Sequence, residues 1–208
     1  MSETFLKLRL IEELLKDKEI SGLGTEAPFL FGRRRADVIC IRKNLTIGFE
    51  IKSANDKVDV LPKQLEDYRK YFDVVYTVCE PENLKKIRSV APKWSGIVLI
   101  DDGSAKTLRK GQIFKKQNKL SLLSSVPSDA LTNLINGKQQ RKYIATFDMC
   151  KQLSIDLTQK DAKAISRKYI FEKYSKVLNQ ILNDTSGTLT KDDLVTLSKP
   201  PSLPLRRI

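Results

Sequence analysis

The sequence contains no histidine. That absence removes serine hydrolases with an imidazole base, HExxH metallopeptidases, histidine-liganded nucleases and ribonucleases that use a histidine pair. It has no GxxxxGK[ST] segment either, which argues against a P-loop nucleotidase. Cysteine is scarce. Cys40, Cys79 and Cys150 are odd in number, far apart and outside any CxxC pattern, so they read as buried thiols rather than a disulfide framework or zinc knuckle. Long apolar runs are also missing: those at 74–79 and 97–100 are far too short to cross a bilayer. Met1-Ser2-Glu3-Thr4 carries an acid and no basic stretch, unlike a secretory signal. The expectation is a cytoplasmic protein with no membrane partner. Any catalysis must then draw on carboxylates, lysines and a hard metal ion.

Positive charge, in contrast, is abundant. The 208 residues hold 38 Lys and Arg against 25 Asp and Glu, a formal charge of +13. Such an excess attracts polyanions, nucleic acid first among them, although a merely basic surface would give the same total. With 40% apolar and 30% charged residues the chain is otherwise an ordinary globular one, long enough for one buried domain and a modest appendage.

Phe5, Leu8, Ile11, Leu14 and Leu15 recur at helical spacing and predict an amphipathic helix over 4–18, ended by Gly22 and Gly24. An extended segment at 26–31 leads into Arg33-Arg34-Arg35. Two strand patterns follow at 36–41 and 46–52, joined by the polar turn Arg42-Lys43-Asn44-Leu45, in which Asn44 tolerates a left-handed conformation. Asp59 is placed to cap a helix with Pro62 in its first turn and a stripe of Leu61, Leu65, Tyr68 and Phe72. A strand at 74–78, a helix at 81–90 and a strand at 96–100 complete an alternation that predicts an α/β sandwich with a mixed sheet. After Asp102 the composition shifts. Lys106, Arg109, Lys110, Lys115, Lys116 and Lys119 occur with no acid among them, in a loop or edge hairpin. Helices are predicted at 128–136, stopped by Gly137, at 142–153, at 158–183 with Thr158 and Asp161 as a capping box, and at 191–198 before Pro200-Pro201. In the long one, Ile165, Tyr169, Val177, Leu178, Ile181 and Leu182 form a core stripe. The organisation reads as a domain over 1–122, a helical region over 123–198 and an extended or mobile tail over 199–208.

The hairpin carries the chemistry. Side chains alternate along a strand, so Asp37, Ile39 and Ile41 share one face while Glu50 and Lys52 share a face of the next strand. A turn centred on Lys43-Asn44 sets Asp37 opposite Glu50, Val38 opposite Phe49 and Cys40 opposite Ile47, so the apolar faces agree in the same register. Directly opposed residues have Cβ atoms about 4.5–5.5 Å apart, near enough for two carboxylates to hold one cation. Oxygen ligands without imidazole or thiolate favour Mg²⁺ or Mn²⁺. Lys52 beside them suits an electrostatic role toward a phosphodiester first and a proton-transfer role second. An acid-x-Lys triplet alone carries little weight, because Asp161-Ala162-Lys163 repeats it in a predicted helix with no assigned function. A pair of solvated charges on a sheet face is the competing reading of Glu50 and Lys52.

Arg35-Ala36-Asp37-Val38, then Gly48-Phe49-Glu50-Ile51-Lys52-Ser53, then Asp56, Leu61, Gln64 and Tyr68 resemble a small prokaryotic and phage family of the PD-(D/E)XK, restriction-endonuclease-like superfamily. Phe72-Asp73-Val74-Val75 and Trp94-Ser95-Gly96-Ile97 look like its next strand segments, so the resemblance spans about residues 26–102. It departs in one place, reading Arg-Ala rather than Pro before Asp37. The resemblance implies an αβββαβ core, a divalent metal and phosphodiester cleavage, usually of DNA rather than RNA. It makes Asp37 and Glu50 metal ligands, with the Ile51 carbonyl as a backbone ligand, and Lys52 the catalytic lysine. Glu26 resembles the extra upstream acid of many members, with Glu12 or Glu13 as substitutes. Gln64 matches a helix position that points to the site or the nucleic-acid backbone.

Arg33, Arg34 and Arg35 precede the metal strand, and the basic run with Lys110, Lys115 and Lys116 is a second surface for phosphate contacts. Neither has interleaved aromatics in sequence. Two other functions compete with a metal-dependent nuclease. One is a nucleic-acid-binding module that keeps the fold without turnover. The other is an interaction protein working through its helical half, which could also form a homodimer.

Overall fold

The computed structural model describes residues 2–102, 104–135, 144–184 and 189–199. Helix α1 (Glu3–Leu15) opens the chain, followed by strands β1 (Ile20–Phe29), β2 (Arg34–Arg42) and β3 (Leu45–Lys52). Helix α2 (Leu61–Arg69), β4 (Val74–Cys79), α3 (Pro81–Val90), β5 (Gly96–Asp101) and β6 (Ser104–Arg109) come next. Among the described residues the helices α4 (Lys119–Leu123), α5 (Ser128–Ile135), α6 (Thr146–Asp156), α7 (Gln159–Asp184) and α8 (Lys191–Ser198) follow. The strands form one mixed sheet in the order β1-β2-β3-β4-β5-β6. β1, β2 and β3 run as antiparallel neighbours, β3, β4 and β5 as parallel ones, and β6 returns antiparallel at the edge.

The β2–β3 hairpin forms because its turn and its apolar pattern agree. Lys43 and Asn44 both take left-handed conformations, at φ 49° and 63°, as a two-residue turn between right-twisted strands requires. Val38 pairs with Phe49 and Cys40 with Ile47, the register expected from the alternation. Its consequence is two layers of core. Val38, Cys40, Phe49 and Ile51 pack against α1 through Leu6, Leu10 and Ile11. Ile39 and Ile41 join Leu61, Leu65 and Tyr68 of α2 and Ile87 of α3 on the other face. All three cysteines are buried and unbridged.

Gly22 and Gly24 do not end a helix; they lie within β1. There they clear a path for α7, which crosses the edge of the sheet and contributes to both layers, Ile170 and Tyr174 to one and Val177, Leu178 and Ile181 to the other. A Cβ at Gly24 would stand 2.4 Å from the Tyr174 ring. Helix α7 thereby covers the edge strand that would otherwise offer open hydrogen-bonding groups. Leu182, expected in the core stripe, is exposed, whereas Tyr174 takes a buried place.

Thr158 and Asp161 form the expected cap, with the Asp161 N–H donating to Thr158 Oγ1 at 3.2 Å. The cap on α2 differs: Val60, not Asp59, is the N-cap, without a side-chain bond. Helices α4 to α6 enclose a third cluster around Leu123, Leu131, Met149 and Leu153, with Ile165 and Tyr169 of α7 packed against it. Gly137, the helix start at Lys142 and the tail from Pro200 lie outside the described residues. No helix among those described is long and apolar enough to cross a membrane.

Asp73 ties the sheet to α7. Its carboxylate is fully buried and meets Lys163 Nζ at 2.6 Å, Arg167 Nη2 at 3.0 Å and the Thr46 N–H at 2.9 Å. Burial alone would raise its pKa, but Arg167, Lys163 and the Thr46 N–H outweigh burial and hold it below the ordinary carboxylate value. The lysine of the Asp161-Ala162-Lys163 triplet is thus a structural counter-ion.

Candidate functional site

The β2–β3 ladder stops at Val38 and Phe49, and the next residues are Asp37 and Glu50. Instead of continuing the ladder, the Ile51 N–H donates to Asp37 Oδ2 at 2.6 Å. The Ile51 backbone therefore meets Asp37, with its amide making the contact. Glu50 and Lys52 are buried side by side at 4% and 9% exposure, not solvated on an open face. Lys52 Nζ donates to Glu50 Oε1 at 2.7 Å.

Helix α2 completes the surroundings of Glu50. Its apolar stripe seats Leu61 and Leu65 in the core, and that rotation turns Gln64 and Tyr68, one helical turn apart, toward β3. Gln64 Nε2 donates to Glu50 Oε1 at 2.6 Å, and the Tyr68 hydroxyl donates to Glu50 Oε2 at 2.6 Å. Gln64 Oε1 is buried and has no hydrogen-bond partner among the described residues. Burial, with Glu50 and Asp37 nearby, keeps the Tyr68 hydroxyl well above the ordinary tyrosine pKa, so it remains a neutral donor. The loop after Lys52 is pinned as well. The Ser53 N–H and hydroxyl both reach Asp56 Oδ2 at 2.7 Å, the Ala54 N–H donates to Glu80, and Asn83 donates to the Ser53 carbonyl.

On the other side of Asp37 stands Glu26, between the β1–β2 pairs Thr25↔Val38 and Ala27↔Ala36. It adopts φ 49°, an unfavourable conformation for a non-glycine residue in a strand. Oxygens of Glu3, Glu26 and Asp37 lie within 4.8 Å of one another. Lys7 Nζ bridges Glu26 at 2.5 Å and Glu3 at 3.1 Å. Burial works against the Lys7 ammonium, but Glu26, Asp37 and Glu3 more than offset it and raise its pKa. Asp37 goes the other way: burial and the neighbouring Glu50 push its carboxyl up to about 7, against the Ile51 N–H and Lys7.

The α1 acid at this site is Glu3. Glu12 and Glu13 are occupied elsewhere on the helix, by Arg9 at 2.8 Å and Lys16 at 2.7 Å. Glu3, Lys7 and the role of Tyr68 escape a reading from sequence alone. One signal was available: Lys7 interrupts the buried face formed by Leu6, Leu10 and Ile11, and Glu3 precedes it by one turn.

The three arginines separate. Arg35 is exposed and lies 3.7 Å from Glu26, Arg34 pairs with Asp67 at 2.8 Å, and Arg33 is exposed. Lys110, Lys115 and Lys116 are exposed but are not brought to the site. Their segment is anchored by Gln112 to the Trp94 carbonyl and by Phe114 to the Asp73 carbonyl, at the amino ends of β5 and β4. Glu50 and Lys52 stand at the carboxyl end of β3, on the opposite end of the sheet.

These features define an α/β protein with a buried carboxylate–lysine centre at the end of a mixed sheet. The chain belongs to the family described as Bacteriophage P4 protein cII, whose pattern matches residues 1–198. Protein cII of Enterobacteria phage P4 is 26% identical over 213 residues, covering 96% of this chain and 78% of that protein. A solved structure of a protein of unknown function from Silicibacter pomeroyi aligns with a TM-score of 0.42 and 19% identity, over 65% of this chain and 93% of that one.

Proposed function

We propose that the protein is a metal-dependent nuclease of PD-(D/E)XK type that hydrolyses phosphodiester bonds, in DNA first. The observation that carries this reading is the burial of Glu50 and Lys52 in contact on β3, with Asp37 at the adjoining position of β2. The order α1-β1-β2-β3-α2-β4, with β4 parallel to β3, agrees with an αβββαβ core. The name Protein cII describes no chemistry, so the reading rests on the site.

The donor set suits Mg²⁺ or Mn²⁺. Glu3, Glu26, Asp37 and Glu50 bring four carboxylates against the ammonium groups of Lys7 and Lys52, with no imidazole or thiolate among them. Asp37 and Glu50 would hold the ion, with Glu26 and Glu3, whose oxygens lie within 4.8 Å of those of Asp37, as further acids at the site. When bound, such an ion lowers the pKa of water and offsets charge on the phosphate. Lys52 places a positive charge beside the phosphodiester. Gln64 and Tyr68 fix the Glu50 carboxylate, and Gln64 Oε1 supplies an acceptor that can orient an attacking water.

The test is incubation of the protein and its Glu50→Ala variant with circular single-stranded and supercoiled DNA in Mg²⁺, Mn²⁺ or EDTA. Metal-dependent cutting by the wild type, lost in the variant, supports the proposal. Cutting that survives Glu50→Ala contradicts it.

A further inference from the structure

A cleft of about 620 Å³ lies along α2 and the start of β2, two elements that also carry the candidate site, and is lined by Leu30, Phe31, Arg33, Arg34, Lys63 and Lys70, with Asp67 and the start of α4 closing it. Four basic side chains face one carboxylate. Asp67 is shared by Arg34 at 2.8 Å and Lys70 at 2.7 Å, whereas Arg33 and Lys63 pair with no carboxylate among the described residues. The cleft and the site are neighbouring faces of the same two elements. Lys63 and Asp67 on α2 directly precede Gln64 and Tyr68, which hold Glu50. On β2, Arg34 faces the cleft and Arg35 stands by Glu26.

The wall is not only basic. Leu30, Phe31 and Leu120 give it an apolar lining. Phe31 holds φ 59°, and its ring lies 5.2 Å from Phe147 of α6, which is 50% exposed. The sequence separates these rings by more than a hundred residues, so no local pattern reveals the pair. Unpaired cations along a groove with an exposed aromatic at its rim are the two parts of a single-strand binding track. Phosphates meet the cations and bases stack on the ring, whereas the stacked bases of a duplex offer no free faces.

We infer that this cleft binds single-stranded nucleic acid and leads it to Glu50 and Lys52. The inference deepens the nuclease proposal, on which it rests for the direction of the strand.

The experiment measures binding by the full chain, in EDTA so that nothing is cut. Its probes are a fluorescent oligothymidylate and a blunt DNA duplex of equal length. The wild type is expected to prefer the single strand. Phe147→Ala, a half-exposed position whose loss leaves the core intact, should weaken single-strand binding by about 10-fold, as the loss of one stacked base predicts. The Arg33→Glu/Lys63→Glu pair should weaken it further and flatten its salt dependence. Lys16→Glu/Lys18→Glu, past the end of α1 on the other face of the sheet from α2, should have a much smaller effect. Equal or tighter duplex binding overturns the inference, as does single-strand affinity unchanged by the cleft variants. Cleft-dependent single-strand binding by a wild type that cuts nothing in Mg²⁺ or Mn²⁺ upholds the cleft and sinks the nuclease proposal instead.

Discussion

Tyr68→Phe removes one oxygen atom and leaves the ring where it packs, 5.0 Å from Phe29 and 5.3 Å from Phe72. What disappears is a 2.6 Å hydrogen bond to a buried carboxylate oxygen of Glu50. A hydrogen bond to a charged group contributes about 1.5–3 kcal/mol. For a chain of this size each kcal/mol shifts Tm by roughly 2–4 °C, so the variant should melt about 3–12 °C lower. If Glu50 must be fixed for catalysis, the same free energy appears as a fall in kcat of about 10- to 150-fold, with little change in KM. Tyr71→Phe is the control. It loses a hydroxyl bonded to Ser125, in the turn after α2 and away from the site, and should cost stability without that fall in kcat. Melting curves and cleavage kinetics on circular single-stranded DNA read both quantities. A Tyr68→Phe enzyme with wild-type kcat, or a Tyr71→Phe enzyme equally impaired, refutes the positioning role.

Asp73→Ala leaves Lys163 and Arg167 without the carboxylate they share, and should destabilise the fold by about 3–5 kcal/mol, measured by urea denaturation. The pH dependence of that stability has a definite sign. The folded pKa of Asp73 is depressed below 3.8, so its contribution is complete above the ordinary carboxylate value and fades as pH falls through the lower folded value. Denaturation between neutral pH and pH 3 should show wild type losing more stability than Asp73→Ala toward the acid end. Gly24→Ala would bring a Cβ to 2.4 Å from the Tyr174 ring. The displaced ring should cost about 1–3 kcal/mol, and Tyr174→Ala in the same chain should recover part of the Gly24→Ala penalty in a double-mutant cycle.

Local rules made the hairpin legible. Period-two alternation and a two-residue polar turn admit one register that packs Val38, Cys40, Ile47 and Phe49 on one face, with Asp37 and Glu50 just past its last pair. The Thr158 cap of α7 and the stripe of α2 were legible for the same reason, since their signals lie within a few turns. Gly22 and Gly24 carry no local signal of their role, because the side chains against them come from elsewhere: Ile41 of β2 at Gly22, and Tyr174, some 150 residues on in the chain, at Gly24. Nothing local to α1 names the partner of Lys7 and Glu3, because Glu26 comes to them only through packing against β1. The basic residues were visible as composition, but which of them lie by the site depends on the sheet order, which puts Lys110, Lys115 and Lys116 at the far end.

The most direct test of the central claim is the rate at which Lys52→Met cuts circular single-stranded DNA in saturating Mn²⁺, compared with wild type. The account predicts metal-dependent cutting by the wild type and a rate lower by on the order of 10²–10³ in the variant, the range seen when one transition-state charge partner is removed. Mn²⁺ binding should persist, because Asp37 and Glu50 are intact. A Lys52→Met protein that cuts at the wild-type rate, or a wild type inert in Mn²⁺, contradicts it.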